Sequence, residues 1–122
     1  MADNKQYITR IQDNGSVMIS EDVVATIVSL AVKEVEGVVG LSTKPGADIA
    51  DMIGKKNWGK GLRINIAEDN ALTVDCDIIV SYGQSVVAVA ASVQEAVAAA
   101  LESATAVKVT AVNVNVCGIV RQ

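Results

Sequence analysis

The sequence predicts a two-layer α+β fold, because strand-like and helix-like patterns follow one another in the order β-α-β-β-β-α-β. Residues 62–67 and 71–81 alternate between apolar and polar side chains, which is typical of strands with one buried face. Two other segments, residues 20–36 and 85–103, carry apolar residues at helical spacing. We therefore expect two main helices to pack on one face of a mixed, mostly antiparallel sheet.

An N-terminal hairpin is predicted as an additional strand pair. Asn14-Gly15 favours a tight turn, and residues 7–11 and 17–19 flank it. Ser20 is then the predicted N-cap of the first helix. The apolar side chains expected to face the core from this helix are Val23, Ile27, Leu30 and Ala31.

The middle of the chain contains a short strand and a loop. Residues 38–41 are predicted to be a buried strand, and a short helix is expected near residues 47–53. Residues 54–61 nearly match the phosphate-binding pattern G-x-x-x-x-G-K-[ST], but Gly61 stands in place of the hydroxyl residue. Because no helix follows this segment to hold phosphates, we predict a loop and no nucleotide site.

The second hairpin, with its turn at residues 68–70, divides its side chains between two faces. One face is apolar and is expected to contact the helices. The opposite face is expected to be open to water or to a partner, and six of its polar residues are candidates for an interaction surface: Asn65, Thr73, Asp75, Asp77, Asn113 and Asn115.

The C-terminal third is predicted to be a helix followed by a strand. The expected core side chains of this helix are Val86, Ala90, Val93, Val97 and Leu101. In the strand at residues 107–116, the apolar alternation slips near Thr110-Ala111, which indicates a β-bulge.

Composition excludes several classes of function. The 122 residues suit one domain, which we place at residues 14–120 after a polar segment at residues 1–13. A net charge of −4 and an aromatic content of 2% disfavour nucleic-acid binding. The chain has no His, so the commonest general base and metal ligand is missing. We predict no cofactor and no metal.

The same patterns bear on location. The N-terminus lacks the apolar stretch of a signal peptide, and no apolar run reaches the ~18 residues of a membrane span. We expect a cytoplasmic protein with no direct membrane insertion. Cys76 and Cys117 are expected to be reduced thiols on opposite sheet faces.

A basic patch is the first candidate binding site. Four of the ten basic residues fall within nine positions, with one Trp among them; the set is Lys55, Lys56, Trp58, Lys60 and Arg63. Such a patch could dock an acidic partner or an anion, or it could be a solvated loop, which is the more common role of charge runs.

Asp75 and Asp77 are the other candidate site, because alternate strand residues project about 7 Å apart from one face. Paired carboxylates can flank a reacting bond or hold a hard cation. An open, wet face offers no desolvated pocket that would separate their pKa values, so we expect neither activity there.

Several segments together resemble the alkaline shock protein family of Gram-positive bacteria, an envelope stress response family. They are GSVMISEDVV at 15–24, EVEGVVG at 34–40, VDCDIIVSYG at 74–83, VQ at 93–94 and VNVNVCGI at 112–119. The lysine-rich insert before Leu62 resembles the YloU-like branch.

The resemblance implies a cytoplasmic protein without enzymatic activity that is linked to cell-envelope stress or homeostasis. It also implies self-association into a homo-oligomer and recruitment towards the membrane by a membrane-anchored protein partner. We therefore expect a non-catalytic scaffold or adaptor. The alternative is an anionic-ligand-binding or regulatory accessory subunit of a metabolic enzyme.

Overall fold

The computed structural model describes residues 7–41 and 61–121 and confirms the predicted α+β class. The predicted helix near 47–53 and the lysines at 55, 56 and 60 lie outside the described residues. The elements, in chain order, are β1 (Tyr7–Gln12), β2 (Gly15–Ser20), α1 (Glu21–Lys33), β3 (Val38–Leu41), β4 (Leu62–Ile66), β5 (Leu72–Ser81), α2 (Val86–Thr105) and β6 (Val109–Val120).

Strand β5 is the centre of the main sheet. Strand β6 runs parallel to it along its whole length, from Leu72 to Ser81. Strands β4 and β3 both pair with β5 in the antiparallel sense, β4 with its first half and β3 with its second half. Because β6 occupies one edge of β5, β4 and β3 share the other edge end to end, and the sheet is mixed, as expected.

Two bulges interrupt the pairing of β6 with β5. The first skips Thr110, since Leu72 pairs with Val109 and Thr73 with Ala111, and it confirms the bulge inferred from the sequence. The second skips Cys117 and was not predicted. The sequence nevertheless contains a sign of this second bulge, because Ile119 breaks the alternation of apolar residues at 112, 114 and 116.

Helix α1 begins at the predicted cap, where the Ser20 hydroxyl accepts a hydrogen bond from the Val23 N–H at 3.3 Å. Of its predicted core stripe only Ala31 is buried and Ile27 is partly buried, whereas Val23 is 47% exposed and Leu30 is 58% exposed, so the prediction is wrong for these last two residues. The buried side chains are Val24, Ala25, Val28, Ala31 and Val32. Apolar residues stand next to each other at 23–24 and 27–28, so helical spacing alone does not show which stripe faces the sheet.

The end of α1 approaches α2 closely. Gly37 has φ +97°, and a Cβ at that position would lie 2.8 Å from Cγ2 of Val89. A glycine is therefore needed at position 37 for two reasons: it adopts the left-handed backbone conformation without strain, and it leaves room for the side chain of Val89.

Helix α2 begins at Ser85, whose hydroxyl accepts from the Ala88 N–H at 3.3 Å. Three of the five expected core residues are fully buried, but Val86 and Ala90 are only partly buried. The buried stripe is Val89, Val93, Val97, Leu101 and Thr105. The helix extends two residues beyond its expected end, to Thr105, and Ala106 caps it in the left-handed conformation.

The predicted N-terminal hairpin is confirmed as a separate two-stranded sheet of β1 and β2. Ile8 is fully buried in the main core, and the Asn70 side chain bonds to the backbone of Thr9. A lone hairpin is marginally stable in water, so these contacts hold it to the sheet, and the folded unit reaches back at least to Tyr7.

Candidate interaction surfaces

Polar side chains from three strands meet on the sheet face away from the helices, here called the outer sheet face. The register pairs Arg63 with Asp75, Asn65 with Thr73, and each of Asp75 and Asp77 with an Asn of β6. Paired residues project to the same side of a sheet. The structure therefore brings together all six predicted interaction residues and Arg63.

Arg63 is held by both carboxylates of this face. Its two terminal nitrogens donate to the two oxygens of Asp77 at 3.4 Å each, and its Nε lies 4.0 Å from Oδ2 of Asp75. Such a two-point guanidinium–carboxylate pair has more defined geometry than a pair with an ammonium group.

The strand β6 supplies a second set of partners. Asn113 Nδ2 donates to Oδ1 of Asp75 at 2.8 Å, and Asn115 Nδ2 donates to Oδ1 of Asp77 at 2.9 Å. Each Asn lies beside its Asp because β5 and β6 are parallel and in register at this point. The five side chains therefore form one connected row across three strands.

Asp77 differs from the wet carboxylate that the sequence suggested, since only 2% of the residue is exposed. The guanidinium of Arg63 and the amide of Asn115 satisfy it in place of water. A carboxylate that accepts from a guanidinium and an amide is a structural anchor, and it is poorly placed to take a proton from a substrate. Asp75 remains partly exposed, with 37% of its side chain accessible.

Of the basic patch, only Arg63 lies among the described residues. Its guanidinium is engaged by Asp75 and Asp77. An anion at this position would have to compete with two carboxylates, so Arg63 does not favour an anion site.

The two cysteines differ in environment. Cys76 is fully buried, and Cys117 is exposed at the second bulge of β6. Burial raises the pKa of the Cys76 thiol from 9.0 to about 12, and the charges of Asp75 and Asp77 add to the increase. Within residues 7–41 and 61–121, no group of three or more Cys, Asp or Glu side chains is placed to hold a metal ion.

Strand β6 forms one edge of the sheet. Within the described chain it pairs with β5 and with no other strand. Its twelve residues include no charged side chain and no proline, although such residues commonly protect exposed strand edges from pairing. We call this outer side of β6 the β6 edge.

A groove runs between the solvent-facing sides of the two helices, and we call it the helix groove. Its first part has a volume of about 440 Å³ and is lined by Ile27, Leu30, Ala31, Glu34, Val35, Ala96 and Ala100. Its second part, of about 620 Å³, shares Val35 and Ala96 and continues to Ser85 at the start of α2. The outward apolar stripe of α1 forms one wall.

A comparison against known families finds a match, which covers most of the chain. Residues 9–121 match the alkaline shock protein family, which is described by a cell envelope-related function. The chain belongs to this family. The match spans both sheets and both helices, so the hairpin and the β6 edge are parts of the family domain.

Several family members of Gram-positive bacteria are similar along most of their length. The uncharacterised protein YqhY of Bacillus subtilis is 33% identical over 105 residues, which are 86% of this chain and 77% of YqhY. Spy1535 of Streptococcus pyogenes serotype M6, also uncharacterised, is 34% identical over 88% of this chain and 81% of its own length. YloU of Bacillus subtilis is 29% identical over 86% of this chain and 88% of its own length.

No solved structure matches the chain significantly. Helix α2, with 20 residues and a mean hydropathy of 1.4, is long and apolar enough to cross a membrane, although the sequence suggested that no segment was. Its buried stripe packs on the sheet, and core helices often pass the same test of length and composition.

Proposed function

We propose that this member of the alkaline shock protein family is a non-catalytic scaffold that self-associates and docks a partner at the cell envelope. The observation that carries the proposal is the β6 edge, a twelve-residue strand without a charge or proline. An exposed edge strand presents unpaired backbone N–H and C=O groups to another strand. The proposal accounts for a long strand edge that no other described strand pairs with.

The outer sheet face is better suited to binding another protein than to catalysis. Its carboxylates are satisfied by Arg63, Asn113 and Asn115, and Asp77 is buried. A rigid, satisfied polar row is suited to contact with another protein, because it needs no rearrangement before it can accept or donate further bonds at its rim.

Self-association through the β6 edge joins two sheets by backbone hydrogen bonds, and the side chains on either face then determine specificity. Two copies related by a twofold axis would pair β6 with β6 in the antiparallel sense. The outer sheet faces of both copies would then form one continuous polar surface. We further propose that the assembly is cytoplasmic and lies near the membrane through a membrane-anchored partner.

The mass of the protein in solution tests this function. The variant Thr110→Lys/Cys117→Lys adds two charges at the exposed bulge residues of β6, where they should repel a second edge. Light scattering after size exclusion should give more than one chain for the wild type and one chain for this variant.

Two further variants complete the test. Gln12→Lys/Ser16→Lys adds the same charge on the exposed hairpin and should retain the wild-type mass. Ala99→Lys/Ser103→Lys places the charges on the exposed side of α2, which is another surface where a second copy could pack. A wild-type protein that stays a single chain at every concentration would refute self-association. Loss of assembly only in the α2 variant would refute the role of the β6 edge.

A further inference from the structure

We propose that the helix groove binds an amphipathic helix of another protein, with an apolar face flanked by Lys or Arg. This inference rests on the proposed function, because it defines the chemistry of the docked partner. The groove lies on the helical layer, away from the β6 edge. The two surfaces can therefore be tested separately.

The apolar wall of the groove is the stripe of α1 that faces away from the core. Leu30 is 58% exposed, and Ile27 is partly buried beside it. These residues follow the spacing of a helix face whose neighbouring stripe already packs on the sheet. A second apolar stripe on one helix, left in water, is typical of a surface that receives a partner.

The floor of the groove consists of small side chains. Ala31 of α1 and Ala96 and Ala100 of α2 lie between the two helices, and Ala88 continues the floor towards the start of α2. Small residues let a third helix approach closely, so that its larger apolar side chains can fill the groove. The wall follows α1 from Ile27 to the helix end at Lys33, about 9 Å at 1.5 Å per residue, and continues to Val35 in the turn beyond, so it can contact about two turns of a docked helix.

The rim of the groove is acidic. Glu34, Glu36 and Glu95 line it, and no Lys or Arg within residues 7–41 and 61–121 does. Among the described residues, none forms an ion pair with these three carboxylates. Positive charges that flank the apolar face of a docked helix would complement this rim and steer its approach.

The same charges argue against a second copy of this chain as the occupant. Helix α1 carries two acidic residues in its first turn and Lys33 in its last. Helix α2 carries Glu95 and Glu102 and no basic residue. Either of these two described helices would bring like charge to the acidic rim, which weakens association. A basic helix of a different protein is therefore the occupant that the groove favours.

Peptide binding tests the inference. Three labelled peptides of about 18 residues, or five turns, are compared by fluorescence anisotropy. One has leucines on one face flanked by lysines, one replaces those lysines with glutamates, and one scrambles the first. The lysine peptide should bind, while the glutamate and scrambled peptides should bind at least about tenfold more weakly.

Variants locate the site on the protein. Glu34→Lys/Glu95→Lys should lower the affinity for the lysine peptide at least about tenfold. The control Asp13→Lys/Glu68→Lys makes the same change of charge at exposed positions elsewhere, and its affinity for the peptide should stay within about twofold of the wild type. Leu30→Gln should also weaken binding about tenfold, from the apolar area that is no longer buried. Its control is Ile11→Gln, because Ile11 is 85% exposed but lies on the hairpin.

Several outcomes would overturn the inference. Equal binding of the lysine and glutamate peptides, or equal losses in the groove variants and their controls, would show no specific basic-helix site. A single-chain mass for Leu30→Gln, together with no binding of the lysine peptide, would assign the groove to a second copy instead. If the peptide fails to bind while the wild type still self-associates through the β6 edge, the groove proposal fails and the scaffold function stands.

Discussion

The side-chain amide of Asn70 pairs with both backbone polar groups of Thr9. Its Nδ2 donates to the Thr9 carbonyl at 3.0 Å, and its Oδ1 accepts from the Thr9 N–H at 3.3 Å. Asn70 thus acts as a one-residue extension of the hairpin sheet. Its position in the turn between β4 and β5, at φ 72°, ties the N-terminal hairpin to the main sheet across 61 residues of chain.

Replacing Asn70 with Gly should loosen the hairpin without straining the turn, because Gly also adopts positive φ. Loss of two hydrogen bonds should lower the free energy of unfolding by about 2 kcal/mol, at about 1 kcal/mol each. Urea unfolding measures this loss, and faster amide exchange at Thr9 locates it. The control Asn14→Ala, in the exposed hairpin turn, should change stability by less than about 0.5 kcal/mol; equal losses in both variants would disprove the bridge.

Removing Arg63 should destabilise the fold, because the buried carboxylate of Asp77 would lose its ion-pair partner. We expect Arg63→Met to lower the free energy of unfolding by about 3 kcal/mol, since Asp77 would stay buried without its guanidinium partner. The double variant Arg63→Met/Asp77→Leu should recover most of that loss, as an apolar pair of similar size can replace a buried ion pair. Additive losses in the double variant, measured by urea unfolding, would contradict coupling between these two residues.

The two thiols should react very differently. At pH 8 a water-soluble disulfide reagent should modify one thiol per native chain, the exposed Cys117, and two per unfolded chain. Cys76 is protected both by burial and by its raised pKa. The variant Cys117→Ser should show no fast native reaction, and a fast reaction in that variant would show that the sheet opens around Cys76.

Alkaline pH should destabilise the fold through Cys76. The pKa of its thiol is raised to about 12 in the folded chain from 9.0, so the folded state keeps a proton that the unfolded state releases. The stabilisation from this proton is therefore complete below pH 9 and is lost progressively towards pH 12. The slope is about 1.4 kcal/mol per pH unit.

The variant Cys76→Ala isolates this effect. Its free energy of unfolding should fall less steeply between pH 9 and 11 than that of the wild type, whatever its stability at pH 7. Parallel pH profiles from urea titrations would exclude Cys76 as the cause of alkaline sensitivity.

The hairpins and the first bulge could be predicted because their signals are local. The turn at Asn14-Gly15, the alternation along β5 and the slip at Thr110 each depend on a few neighbouring residues. The orientation of α1 could not be predicted in the same way. Two apolar stripes lie side by side on it, and only packing on the sheet selects Val24 and Val28 over Val23 and Ile27.

The polar residues of the outer sheet face were predicted as a set, because strand alternation assigns their side. The burial of Asp77 could not be predicted from the sequence. It depends on contacts with Arg63 on β4 and Asn115 on β6, which are distant from Asp77 along the chain. The helix groove has no signal in one segment either. It forms where the apolar stripe of α1 that does not pack on the sheet, with Ile27 and Leu30, lies beside the alanines of α2.

The edge of β5 that β3 and β4 share fixes where the chain leaves the sheet and where it returns to it. Leu41 pairs with Ile78, and the carbonyl of Gly61 accepts from the N–H of Asp77 at 2.8 Å. The chain therefore leaves the sheet and returns to it at consecutive residues of one strand. Since the entropy of closing a loop grows only slowly with its length, the strand register at Leu41 and Gly61 does not by itself fix the number of residues between these two positions.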